Sequence, residues 1–197
     1  WNIVKEQASR AFLEINESFG IKSPLVGVLL YHSVSNDGTI VDVVPEKFRE
    51  QIEYLIKENF QFITLSDVVS FIEGKKAITR PSVALTFDDG YADLIKNVAP
   101  ILKQYKILAT VFVTSDPRHV DRNVMRNSKK LLSNAQIKIL QKYGWSIGAH
   151  TATHPDLTKI NKKEYQREII ESKKVLENLL DGEVKFISYP KGNYNKK

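Results

Sequence analysis

The sequence predicts an α/β protein with a parallel sheet, and two observations point to this class. Short apolar runs typical of buried strands alternate at least five times with segments of helical periodicity. Acidic or histidine side chains directly follow three of the predicted strands, at the edge where parallel sheets bind ligands. The alternation alone fits an open doubly wound sheet and a barrel equally well.

The first part of the chain contains three predicted helices and two predicted strands. In order, they are a leading helix over 2–19, a strand over 26–31 that runs into His32, a polar loop over 33–45, a helix over 46–59, a strand over 60–65, and a helix over 66–72 that Ser66 caps and Gly74 ends.

The second part continues the same alternation. Its predicted elements are a strand over 82–87, a helix over 92–105, a strand over 109–114, a basic loop over 116–134, a helix over 135–143, a strand over 145–149, a helix over 162–180 and a strand over 184–189. Pro100 is expected to bend the helix in which it lies. The apolar pattern of the last helix predicts a buried face of Ile169, Val175, Leu176 and Leu179.

The length of 197 residues suits one substantial core. We therefore predict a leading helix or linker over 1–24 and a single domain over 25–197. The chain begins at Trp1 rather than at a methionine, which is typical of a processed or trimmed chain. No helix is predicted to cover the last strand, so a barrel of this sequence would be incomplete at its C-terminal end.

Composition excludes several classes of protein. The 29 basic and 23 acidic residues give a net charge of +6, but the excess is spread along the chain, which favours a solvated surface over a nucleic-acid site. The chain has no cysteine, so disulfide scaffolds and thiolate metal sites are excluded. Histidine, aspartate and glutamate remain as metal ligands.

Two adjacent carboxylates follow the strand over 82–87. Asp88 and Asp89 come at its C-terminal end, and Gly90 permits a sharp exit from the strand. An Asp-Asp-Gly turn without chemistry is the plain structural alternative.

Two histidines four residues apart follow the strand over 145–149. His150 and His154 at this spacing can reach one ion from the same side, and Pro155 favours a turn over a helix. Two histidines and one carboxylate leave coordination positions open for water and substrate, as in catalytic metal sites. A structural histidine is the alternative, although two at ligand spacing on one sheet edge favour a metal.

The second carboxylate is then available for proton transfer. One aspartate serves as general base while the other binds the ion, and the residues alone leave open which does which. His32, at the end of its own strand, is the available acid for the leaving group.

Two motifs carry a resemblance to a known family. Thr86-Phe-Asp-Asp-Gly90 and His150-Thr-Ala-Thr-His154-Pro155 resemble the first two motifs of the polysaccharide deacetylases, the NodB-homology enzymes of carbohydrate esterase family 4. The strand ending Leu30-Tyr31-His32 and the turn over 188–195 resemble the branch that deacetylates poly-β-1,6-N-acetylglucosamine in biofilm matrix. The resemblance covers about residues 25–195.

The resemblance implies a distorted (β/α)7 barrel and a role for each site residue. Asp88 becomes the general base and His32 the acid, while Asp89, His150 and His154 bind one divalent metal ion. Zinc is the first choice, with cobalt, nickel or iron as alternatives. A backbone N–H near Lys191 is implied as the oxyanion donor, and Ser188 takes the place of an arginine found in most members.

Aromatic residues near these motifs leave two interpretations open. Stacking on sugar rings and packing in the core or rim are equally consistent with Tyr31, Trp145, Tyr189 and Tyr194. With Lys191, we take Tyr189 and Tyr194 as the substrate-binding candidates.

The implied function is metal-dependent removal of N-acetyl groups from an N-acetylglucosamine polysaccharide. Poly-N-acetylglucosamine is preferred over peptidoglycan or chitooligosaccharides, and a carbohydrate-binding domain that keeps the pocket without turnover is the alternative. The implied protein is a monomer with a polysaccharide partner and no nucleic acid, associated with the cell envelope. Its implied location is extracellular, on the cell surface or periplasmic.

Overall fold

The computed structural model describes residues 25–120 and 129–194, and a parallel sheet forms its centre. In chain order the strands are β1 (Val26–Tyr31), β2 (Ser33–Val34), β3 (Asp42–Val43), β4 (Gln61–Phe62), β5 (Ser82–Phe87), β6 (Thr110–Val113) and β7 (Ser146–Ala149). The sheet order is β1-β5-β6-β7, with β4 on the start of β5, and every pairing is parallel. The predicted α/β class with a parallel sheet is confirmed.

Helices connect the strands, as the alternation predicts. They are α1 (Pro45–Lys57), α2 (Leu65–Ile72), α3 (Ala99–Gln104), α4 (Asn134–Lys142), α5 (Lys162–Tyr165) and α6 (Ser172–Leu180). Wider π-helical turns, Leu94–Val98 and Gln166–Glu171, precede α3 and α6. Pro100 lies in the first turn of α3, directly after such a turn, so the expected irregularity is present. The leading helix predicted over 2–19, and residues 121–128 of the predicted basic loop, lie outside the described residues.

Two predicted strands are much shorter than expected. The strand over 60–65 is reduced to Gln61–Phe62, and the strand over 184–189 is reduced to a single bridge between Ala149 and Ile187. Pro190 follows closely and has no N–H to donate, and Lys191 adopts a left-handed conformation with φ of 61°. The chain therefore leaves the sheet after two backbone hydrogen bonds to Ala149.

The predicted cap of α2 is wrong by two residues. The N-cap is Thr64, whose hydroxyl accepts a hydrogen bond from Asp67 N–H, while the Asp67 carboxylate accepts one from Thr64 N–H. Ser66 lies inside the first turn of the helix. A threonine followed three residues later by an acid provides acceptors for two N–H groups that have no partner within the helix. Ser66 is followed at that spacing by Val69, which has no acceptor in its side chain.

The predicted buried face of the last helix is also partly wrong. Its buried residues are Glu168, Ser172, Leu176 and Leu180, which follow one another at intervals of four. Val175 is instead 49% exposed. The prediction assumed 3.6 residues per turn throughout, but the π-helical turn Gln166–Glu171 is wider. This changes which side chains face the core and turns Glu168 inward.

Aromatic rings fill the core beneath the strand ends. Phe87 stacks on Tyr31 on one side and on Trp145 on the other, with centroid separations of 5.5 and 5.6 Å. Phe48 of α1 meets both Tyr31 and Phe87 edge-on. Core packing is therefore the role of Tyr31 and Trp145, and the sheet edge beside them is rigidly supported. None of the helices among the described residues combines the length and apolar character that a membrane span requires.

Candidate metal and active site

The predicted site residues meet at the C-terminal edge of the sheet. His32, Asp88 and His150 follow β1, β5 and β7 directly. Hydrogen bonds to neighbouring strands fix two of these backbones: Asp88 N–H donates to the Tyr31 carbonyl, and His150 N–H donates to the Val113 carbonyl, each at 2.9 Å. The side chains are thus placed by the most rigid part of the fold.

A left-handed turn directs the second aspartate. Asp89 and Gly90 both have φ of 69°, a region that aspartate tolerates better than most residues and glycine accepts freely. A Cβ on Gly90 would lie 2.8 Å from Val113 Cγ1, so the turn also packs closely against β6. Glycine is therefore required immediately after the two carboxylates.

Asp89, His150 and His154 form a compact three-residue group. Asp89 Oδ1 lies 3.3 Å from the Nε2 atoms of both His150 and His154. All three side chains are buried, and one ligand atom from each lies within 4.8 Å of the others. This is a candidate metal-binding triad, and it contains the three residues predicted as ligands.

The hydrogen bonding of His150 tests whether the triad suits a cation. His150 Nδ1 lies 2.9 Å from the Ser188 carbonyl, which can only accept, so Nδ1 carries the proton. In the neutral ring Nε2 then presents a lone pair towards the Asp89 carboxylate, and Asp89 Oδ1 has no hydrogen-bond partner among the described residues. The lone pairs of these atoms face one another in a buried space without a hydrogen between them, and such atoms are the ligands of a metal ion. The three residues therefore fit a divalent ion.

Electrostatics in the triad favour the ionised form of Asp89. Burial by itself would raise the pKa of Asp89, but the two histidines, whose Nε2 atoms lie 3.3 Å from Oδ1, hold that pKa well below its usual range. Burial would likewise lower the pKa of His150, but Asp89 and Asp88 outweigh it and raise that pKa. The site is therefore built around an ionised Asp89, as metal binding requires.

A buried glutamate holds the loop that carries the histidines. Glu168 Oε2 accepts hydrogen bonds from Ala152 N–H and Thr153 N–H, both at 2.8 Å, and Oε1 accepts one from the Thr153 hydroxyl at 2.9 Å. Thr151 and His154 have φ of 64° and 63°, so the loop is conformationally strained. Glu168 satisfies the buried N–H groups that this tight loop exposes.

Asp88 has a different environment from Asp89. Its Oδ2 accepts a hydrogen bond from the Ser188 hydroxyl at 2.9 Å, and its Oδ1 has no hydrogen-bond partner among the described residues. Burial raises the pKa of Asp88, with opposition from His150, Ser188 and His32. A carboxylate with raised pKa and one free oxygen beside a metal triad is suited to proton transfer.

A cavity of about 480 Å³ opens over these groups, within the size range of small-ligand sites. Its lining includes all five residues predicted for metal binding and catalysis: His32, Asp88, Asp89, His150 and His154. Of the substrate-binding candidates, Tyr189 and Lys191 also line it. Tyr194 is 78% exposed and is not among the lining residues.

Sequence reasoning missed two contributors to this site. Glu168 was hidden in an amphipathic helix. Tyr91, three residues beyond Asp88, lines the cavity and is 1% exposed. Neither residue belongs to a motif that a local sequence pattern would single out.

Comparison with known proteins identifies the family. The family described as Polysaccharide deacetylase matches residues 75–197. YxkH of Bacillus subtilis is 30% identical over 169 residues, which are 86% of this chain and 57% of that protein. The poly-β-1,6-N-acetyl-D-glucosamine N-deacetylase of Staphylococcus aureus is 28% identical over 176 residues, 85% of this chain and 59% of that enzyme. This chain belongs to the polysaccharide deacetylase family, and it spans less than two thirds of the length of these curated relatives.

Solved structures support the same fold. The Streptococcus pyogenes deacetylase PplD, in complex with acetate, matches with a TM-score of 0.72 and 27% identity over 89% of this chain and 76% of that one. IcaB from Ammonifex degensii matches with a TM-score of 0.77 and 21% identity over 88% of this chain and 77% of that one. At this identity the match supports the fold only. The predicted distorted (β/α)7-barrel class is confirmed by these likenesses.

Proposed function

We propose that this protein is a metal-dependent hydrolase that removes N-acetyl groups from an N-acetylglucosamine polysaccharide. The observation that carries the proposal is the position of Asp88 beside the triad of Asp89, His150 and His154 in one cavity that also contains His32. A metal site, a base and an acid are the groups that amide hydrolysis needs.

Asp89, His150 and His154 would hold the metal ion. When bound, such an ion acidifies water and polarises a carbonyl. Zinc suits two imidazoles and one carboxylate, and cobalt, nickel or iron would suit the same ligands. The Ser188 carbonyl fixes the tautomer of His150, so Nε2 is presented to the ion without rearrangement.

Asp88 acts as the general base. Its carboxylate takes a proton from the attacking water as the new C–O bond to the acetyl carbon forms. The Ser188 hydroxyl holds Oδ2, which leaves Oδ1 to receive the proton. Burial makes Asp88 a stronger base than an exposed aspartate.

His32 acts as the general acid. It donates a proton to the sugar nitrogen as the C–N bond breaks, so that water and amide become acetate and a free amine. Its position after β1 places it beside Asp88, because Tyr31 pairs with Phe87 across the two strands.

Lys191 and two tyrosines are assigned to the substrate. Gly192 N–H is held by the Tyr189 carbonyl at 3.0 Å, so we assign the Lys191 N–H in the same turn as the oxyanion donor. Tyr189, 44% exposed on the cavity wall, would stack on a sugar ring, and Tyr194 would extend that contact outside the cavity.

Poly-β-1,6-N-acetylglucosamine is the proposed polymer. It is the substrate named for a Staphylococcus aureus enzyme that is 28% identical over 85% of this chain. Because that polymer lies outside the cell, we propose that the protein acts outside the cytoplasm, at the cell envelope. We also propose that it is a monomer and that residues 25–197 form its deacetylase domain.

The test is acetate release from β-1,6-linked and β-1,4-linked N-acetylglucosamine oligomers. Release should stop in chelator, return with Zn²⁺, and be faster on the β-1,6-linked oligomer. Asp88→Asn should abolish release while metal binding persists, and Asp181→Asn, the same change at an exposed site, should have no effect. Release that survives chelation, or that survives Asp88→Asn, would contradict the mechanism; a metal-loaded protein without release would be a binding domain.

A further inference from the structure

A cluster of buried charges lies beside the cavity and outside the metal triad. Lys129 Nζ lies 2.7 Å from Asp42 Oδ1 and 3.9 Å from Asp93 Oδ2. The Lys129 and Asp42 side chains are each only 3% exposed. Buried charges are costly unless they are paired, so this arrangement holds its members firmly in place.

Ser33 connects the two carboxylates. Its hydroxyl lies 2.7 Å from Asp93 Oδ2 and 2.5 Å from Asp42 Oδ1, and the neighbouring Val34 N–H donates to Asp93 Oδ1 at 3.2 Å. A hydroxyl has one proton and serves only one carboxylate as donor. The positive charge of Lys129 offsets the repulsion between the two carboxylates. We call Ser33, Asp42, Asp93 and Lys129 the clamp.

The clamp joins the segments that carry the proposed acid and base. Ser33 directly follows His32, and Asp93 begins the helical segment that follows Asp88 and the turn at Asp89 and Gly90. The segment after Lys129 pairs with the same turn: Ala92 N–H donates to the Lys130 carbonyl and Leu132 N–H to the Gly90 carbonyl, both at 2.8 Å.

We propose that Lys129 is a positioning residue that fixes His32 relative to Asp88. This inference rests on the proposed deacetylase function. The contacts described for the clamp involve none of the triad residues, and the loop that carries His150 and His154 is held separately by Glu168. Loss of the clamp should therefore damage proton transfer and leave metal binding intact.

The decisive variant is Lys129→Met, which keeps the side-chain length and removes the charge. Its control is Lys130→Met, because Lys130 is exposed and contributes only its backbone carbonyl to the contacts described above. We expect kcat for acetate release to fall about 10-fold to 100-fold in Lys129→Met, since small displacements of catalytic groups are costly. Zn²⁺ affinity should stay within about twofold of the unsubstituted protein, because that mutation leaves the triad and its supports in place.

Hydrogen exchange provides a readout that does not depend on activity. In Lys129→Met, exchange should accelerate over residues 33–43 and 90–93 and stay unchanged over 150–154. A milder variant, Ser35→Ala, keeps the Lys129 charge and removes a hydroxyl that accepts from Lys129 at 2.8 Å and donates to Asp42 at 3.0 Å. It should lower kcat about threefold to tenfold.

The outcomes separate this inference from the proposed function. If the unsubstituted protein released no acetate, the function would fall, and hydrogen exchange would still decide whether Lys129 holds the His32 segment. If Lys129→Met kept the kcat of Lys130→Met, or lost Zn²⁺ affinity in parallel with kcat, the positioning role would be overturned. If Lys129→Met failed to fold, an unchanged kcat in Ser35→Ala would overturn it instead.

Discussion

The Ser188 hydroxyl donates a hydrogen bond to Asp88 Oδ2 at 2.9 Å across 100 residues of sequence. The carbonyl of the same residue accepts a hydrogen bond from His150 Nδ1. Ser188 therefore contacts the proposed base and a proposed metal ligand at once, from a segment that joins the sheet by one bridge.

Ser188→Ala should shift the pH dependence of acetate release. The hydroxyl stabilises ionised Asp88, so its removal raises the pKa of that carboxyl further above its ordinary value. Because a base must be deprotonated to act, the acid limb of kcat/KM should move to higher pH by about one pH unit. Ser146→Ala, at the opposite end of β7, should leave the profile unchanged. A shift to lower pH would contradict this role.

Glu168→Ala should weaken metal binding without touching a ligand. The change leaves two buried N–H groups of the histidine loop without acceptors, so the strained loop is no longer held. We expect Zn²⁺ affinity, measured by competition with a chelating dye, to fall about 10-fold to 100-fold. Glu171→Ala, an exposed change on the same helix, is the control, and equal affinities in the two variants would refute the assignment.

Two strand glycines should respond differently to alanine. A Cβ at Gly148 in β7 would overlap the buried Phe112 ring and lie 3.2 Å from the Phe186 carbonyl oxygen. A Cβ at Gly27 in β1 would meet nothing within 4 Å. Urea unfolding should show a loss of about 1–3 kcal/mol in the free energy of unfolding for Gly148→Ala and little change for Gly27→Ala. Comparable losses would mean that the β6–β7 packing is looser than described.

Asp67 should contribute stability that disappears in acid. Hydrogen bonds from Lys76 and Thr64 lower the pKa of Asp67 from 3.8 to about 2. Because the folded pKa lies below the unfolded one, the contribution is complete above pH 3.8 and is lost as pH falls through about 2. At neutral pH we expect Asp67→Asn to cost about 1 kcal/mol, allowing for solvent screening of a side chain that is 26% exposed.

The measurement for Asp67 is urea unfolding in chelator, at neutral pH and near pH 2, so that metal release does not contribute. The difference between Asp67→Asn and the unsubstituted protein should vanish at the lower pH. Glu50→Gln, which breaks an exposed ion pair, should change little at either pH. A difference that persisted in acid would show that the carboxyl acts without its charge.

The local signals of the sequence predicted the strand ends and their chemistry. Asp88, Asp89, His150 and His154 were found because each follows an apolar strand, and parallel strands bring their C-terminal ends together. Thr64 was missed although its signal was present, since Thr64 and Asp67 have the spacing of a capping box.

Other features were not accessible from local patterns. Glu168 faces inward because a π-helical turn alters the helical period, and no composition rule predicts where such a turn occurs. Lys129 meets Asp42 and Ser35 across about 90 residues, so only the folded chain shows that this lysine differs from the exposed Lys130. Long-range contacts between polar residues are the part of the site that periodicity cannot reveal.

Burial of the clamp also has a consequence for the medium in which the protein works. Mobile ions weaken exposed pairs such as Lys47 with Glu50, whose side chains are 60% and 59% exposed. They cannot enter the space between Lys129 and Asp42, which are each 3% exposed. If Lys129 positions His32 as proposed, kcat for acetate release should therefore change little as ionic strength rises.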